Sequence, residues 1–147
     1  MPRGKSKKPT DSQLSAELFL RSINLRYDAE QPDRIAHFHP TTKGVSLLKA
    51  LLGQERERAF FIVAPYGTGK SLTVTYLLHY LENRSSSADA LKTIGRKLSA
   101  VSPELGRRAG QRRRSGARGL VLALHGQYPS LPKGIQEAAV EGLRRQR

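Results

Sequence analysis

The feature that most constrains this chain is the junction Phe60-Phe61-Ile62-Val63-Ala64-Pro65-Tyr66-Gly67-Thr68-Gly69-Lys70-Ser71, where an apolar run breaks into a glycine-rich turn. Leu72, Val74, Leu77, Leu78 and Leu81 then recur at helical intervals, so the stretch predicts strand, tight loop and helix. A loop that runs into a helix N-terminus can aim several backbone N–H groups at one point, which suits the dense negative charge of a polyphosphate. Gly67 and Gly69 tolerate positive φ and let the backbone approach oxygen atoms that a Cβ would obstruct. Lys70 supplies a point charge for the terminal phosphates, Ser71 a hydroxyl for a bridging magnesium ion, and Thr68 its amide.

The pattern is Gly-x-x-x-x-Gly-Lys-Ser/Thr with Ala64 in place of its first glycine. That position closes the strand and asks only for a small residue, whereas the strained turn falls on the later glycines. The alternative is a glycine-rich strand–helix turn with an incidental lysine.

A chain of 147 residues is about one domain and can bury a sizeable core. Cysteine is absent, which removes disulfides and thiolate metal sites and fits a reducing compartment. The charged start Met1-Pro2-Arg3-Gly4-Lys5 leads to no apolar leader, and no run approaches the length of a membrane span. A cytoplasmic protein without a membrane partner is expected.

The net charge of +14 is unevenly spread. Thirteen of the 26 Lys and Arg lie in three acid-free segments, at Arg3–Lys8, Arg107–Arg118 and Arg144–Arg147, while the other thirteen face all twelve Asp and Glu. The excess therefore belongs to a tail, a loop and a terminus rather than to the folded body.

In chain order, residues 1–10 read as a disordered basic tail and 11–147 as a partial α/β domain. Thr10 and Gln13 have capping-box spacing ahead of a helix over 11–25, a connector follows over 27–33, and 34–39 is a short extended piece before Pro40. His37 and His39 share a face of that piece, but no third ligand stands nearby to complete a metal site. Thr41 or Thr42 caps a helix with Val45, Leu48, Leu51 and Leu52 apolar and Gly53 as its stop, and 54–58 is a solvated connector. The helix 70–82 ends near Asn83, Ser85-Ser86-Ser87 is a hinge, and Leu91, Ile94 and Leu98 mark a further helix before Pro103. Gly, Arg, Gln and Ser dominate 106–119, which reads as a flexible arginine-rich loop. Leu120-Val121-Leu122-Ala123-Leu124 has the unalternating pattern of a strand covered on both faces. Ser130 then caps a last helix with Pro132 in its first turn and Ile135, Ala139 and Leu143 on its inner face.

On the residues Ala64–Ser71, with supporting context over 42–82, the chain resembles the N-terminal part of a P-loop NTPase of the broad AAA/STAND-like ATPase kind. The resemblance implies a parallel sheet flanked by helices behind a helical lead-in. It also implies ATP with magnesium as ligand, held by Ala64, Gly67, Thr68, Gly69, Lys70 and Ser71, with Ser71 on the metal. A hydrolytic member needs an acid at the end of a second strand, whereas the later apolar run ends in His125-Gly126-Gln127. The chain thus reads as an incomplete ATPase module, inactive alone, that belongs with a missing C-terminal portion or a larger assembly. Two other readings compete: a nucleotide-binding adaptor that does not hydrolyse ATP, and a nucleic-acid-associated protein acting through the six arginines of 107–118. Against the last stand the missing aromatic residues and the missing reading module.

Overall fold

A computed structural model describes residues 24–52 and 59–147. The basic tail, the helix expected to start at residue 11, the stop at Gly53 and the connector 54–58 lie outside the described residues, apart from the last two residues of that helix. Within them the architecture is helical: α1 Leu25–Asp28, α2 Pro32–Ala36, α3 Thr42–Leu52, α4 Lys70–Glu82, a 3-10 turn at Ser85–Ser87, α5 Ala88–Val101, α6 Pro103–Arg114 and α7 Leu131–Arg145. No helix among the described residues is long and apolar enough to cross a membrane.

The helix α4 is the axis of the body. Its buried residues Thr73, Thr75, Tyr76, Leu78, His79 and Glu82 point in several directions, so it is enclosed rather than amphipathic. Tyr76 stacks on Phe38 with ring centroids 5.1 Å apart, and the two join Ile35, Leu48, Leu91, Ile94, Leu98 and Leu105 in one apolar core. The bounds of α4 match the sequence reading, and Asn83 closes it in the left-handed conformation at φ 47°.

The expected parallel sheet is not there: among the described residues no strand forms, and the fold is helical instead of α/β. Residues 60–64 and 120–124 are irregular, unpaired chain. A continuous apolar run signals a tendency to be covered, but a ladder needs a neighbour in register, and here other groups take the backbone. Arg145 Nη2 donates to Val121 O at 2.8 Å, Gly119 N to Leu81 O at 2.9 Å, and Lys70 Nζ to Ala64 O at 2.5 Å. Nor are the runs covered on both faces, since Phe61 and Val63 are 93% and 79% exposed and Leu120, Leu122 and Leu124 are also exposed.

The expected flexible loop at 106–119 is helical over most of its length, as part of α6. Ser102 caps it by accepting from Leu105 N, Pro103 opens the first turn and arginines fill the last, where they complement the negative end of the helix dipole. Gly106 is no flexibility signal: a Cβ there would meet Ser99 Oγ at 2.1 Å and Ser99 Cα at 2.6 Å. The glycine lets α6 lie directly against α5 as an antiparallel hairpin. Only 115–119 remain outside the helix.

Two smaller expectations are corrected. The short helix α1 runs into the expected connector 27–33, and α2 spans the end of that connector and the start of the expected extended piece 34–39. Pro32 in the first turn of α2 explains the latter, because proline suits that position. In α7 the Ser130 cap and Pro132 are in place, yet Ile135 and Leu143 face outward and the buried positions are Gly134, Ala138, Gly142 and Arg145. Small residues at four-residue spacing bring α7 close to the Tyr128 ring and to Leu120 and Val121.

Candidate functional site

The loop 64–71 leads from the unpaired apolar run into the N-terminus of α4. Gly67 and Gly69 both hold positive φ, at 78° and 81°, and a Cβ on either would meet nothing within 4 Å. The requirement for glycine is therefore conformational, with open space where the side chain would be. Gly69 is the N-cap residue of α4, and no side chain caps the helix there. Among the described residues no acceptor takes the N–H groups of Gly67, Gly69, Lys70 or Ser71, while the turn through Tyr66 and Gly67 brings Thr68 N back onto Pro65 O. These donors share the positive end of a thirteen-residue helix.

Each predicted site residue can be placed. Ala64 and Lys70 are half-buried, while Gly67, Thr68, Gly69 and Ser71 are exposed. The Lys70 ammonium folds back over its own loop, donating to Ala64 O at 2.5 Å and Pro65 O at 2.6 Å. Thr68 Oγ1 donates to Pro65 O at 2.9 Å, which ties the side chain into the turn. No described side chain engages the Ser71 hydroxyl. His37 and His39 are both exposed, and no group of three metal-ligating side chains forms among the described residues.

The far end of α4 holds a buried ionic cluster that the sequence reading missed. The Glu82 carboxylate is fully buried. Arg145 meets its Oε1 with Nε and Nη2, both at 2.9 Å, and Arg84 Nε stands 3.1 Å from Oε2 as an ion pair without hydrogen-bond alignment. Arg84 also donates to Ala29 O at 2.8 Å. His79 Nδ1 lies 2.8 Å from Ser87 Oγ, and burial, helped by the neighbouring Arg84 and Arg145 charges, lowers the His79 pKa to about 4. One local sign was readable: an acid in the last turn of a helix opposes the dipole and needs a compensating cation. The partner Arg145, 63 residues on, was not.

The six arginines of 107–118 divide by role. Arg108 donates to Leu52 O and pairs with Glu104, and Arg112 donates to Leu81 O at 2.6 Å, so these two fasten α6 to the ends of α3 and α4. Arg107, Arg113, Arg114 and Arg118 are exposed. No protein-family model, no curated protein and no solved structure matches the chain.

Proposed function

We propose that the chain binds ATP with magnesium through residues 64–71 and does not turn it over alone. The observation that carries the reading is the set of uncommitted N–H groups of Gly67, Gly69, Lys70 and Ser71 on a turn made by two left-handed glycines at the head of α4. These four donors at and just before a helix N-terminus leave backbone groups that a phosphate chain would satisfy. Lys70, now on the carbonyls of Ala64 and Pro65, would exchange them for a terminal phosphate. Magnesium bound to ATP retains most of its water and takes few protein ligands, so the single hydroxyl of Ser71 fits it. Phosphate contacts would come from Gly67, Thr68, Gly69 and Lys70, with Ala64 supplying a small residue at the loop's entry.

A hydrolytic site also needs an acid to hold the metal and orient water, and none stands at His125-Gly126-Gln127. Turnover would then draw on a carboxylate from a C-terminal portion beyond residue 147 or from a larger assembly. A cytoplasmic location accords with this ligand and with a chain free of cysteine.

Ser71→Ala tests the metal half of the reading. ATP affinity measured by calorimetry should fall several-fold with magnesium present, and should match wild type when EDTA removes the metal. Equal loss in both conditions would place Ser71 on the phosphate and not on the ion.

A further inference from the structure

The hairpin of α5 and α6 carries eight Lys and Arg against only Asp89 and Glu104. Three of the eight are occupied within the fold: Lys97 donates to Ala36 O and Phe38 O, while Arg108 and Arg112 hold the carbonyls of Leu52 and Leu81. Four of the others face one another. Lys92 and Arg96, one turn apart on α5, and Arg113 and Arg114, at the end of α6, line a single groove of about 250 Å³. All four are exposed and none pairs with a carboxylate among the described residues. Between them the groove is lined by small residues, including Gly95, Gly106 and Gly110, so its walls are charged and its floor is low.

Four unneutralised cations on two packed helices are held together against their own repulsion, and a line of phosphates relieves it. We propose that this groove docks the phosphate backbone of double-stranded nucleic acid without reading its sequence. A lipid surface fits less well: Leu105, the one large apolar residue of α6, is buried, and the exposed Val101 at the end of α5 is not among the residues that line the groove. A single strand fits less well too, because no aromatic side chain lines the groove to stack a base. The lining has no Asn or Gln to pair with adenine, and contacts to phosphate position without specifying. The groove belongs to α5 and α6 and is independent of the phosphate loop.

Fluorescence anisotropy of a labelled duplex with the full chain, across a salt series, tests this. Changing Lys92, Arg96, Arg113 and Arg114 together to Gln should weaken binding by about tenfold or more at low salt. The slope of log affinity against log salt should flatten by about 3.6, at roughly 0.9 per phosphate contact. Arg107→Gln with Arg118→Gln, which also removes exposed charge, should leave most of the affinity and slope, and Lys70→Ala should bind as wild type. Equal losses in the two arginine variants, unchanged binding in the fourfold variant, or wild-type binding to anionic phosphatidylglycerol vesicles but not to duplex would each overturn the proposal. Circular dichroism on every variant confirms that the fold is retained, as expected for exposed side chains.

Discussion

Glu82→Ala is expected to cost about 3–5 kcal/mol of stability, measured by urea denaturation, because it strands two guanidinium groups that are almost wholly buried. Arg84 and Arg145 are each 8% exposed, so neither can recover its lost partner from bulk water without opening the junction between α4 and α7. Against a total stability of about 5–15 kcal/mol, that loss is enough to leave a large unfolded fraction. Glu82→Gln keeps the shape and one acceptor but removes the charge, and should fall between wild type and Ala. If Glu82→Ala shifts stability by less than about 1 kcal/mol, the cluster is solvated in solution and does not hold the C-terminal helix to α4.

The second large effect is at the turn itself. Gly69→Val should abolish measurable ATP binding while α4 and the core persist. At φ 81° a β-branched residue is strained whatever the space around it, and relieving that strain reshapes the turn that carries the Gly69 and Lys70 amides. Lys70→Ala keeps the turn and removes one charged contact of about 1.5–3 kcal/mol, equivalent to a loss of roughly ten- to 150-fold. Ser71→Ala, acting through the metal, should be mildest. The predicted order is therefore Gly69→Val, then Lys70→Ala, then Ser71→Ala. A Gly69→Val chain that binds ATP like wild type would show that the left-handed turn has no part in holding the ligand.

Local signals in the sequence proved accurate where the physics is local. The bounds of α4 with its end at Asn83, the left-handed glycines and the Ser130 cap all follow from interactions within a few residues of one another. Signals that depend on a distant neighbour misled. Phe60–Val63 and Leu120–Leu124 have the composition of buried strands, but composition cannot supply a partner in register, and both runs stand unpaired. Glycine and arginine in 106–114 were read as looseness. Gly106 instead answers to Ser99 on the preceding helix, and arginine is itself a good helix former. The outward face of α7 failed for the same reason, since Gly134 and Gly142 are buried for close approach while Ile135 and Leu143 are not covered. At the candidate site the turn was legible, whereas the division of the arginines into Arg108 and Arg112, which fasten helices, and Arg113 and Arg114, which face a groove, required the packing of α6.

The account rests most directly on whether the loop 64–71 holds a polyphosphate, and calorimetric titration of magnesium-ATP into the wild-type chain and into Lys70→Ala decides it. The account predicts saturable binding by wild type, affinity lower by at least about tenfold in Lys70→Ala, and a folded, cooperatively unfolding chain in both proteins without ligand. Equal affinity in the two folded proteins, or no heat of binding from a folded wild-type chain, would contradict it.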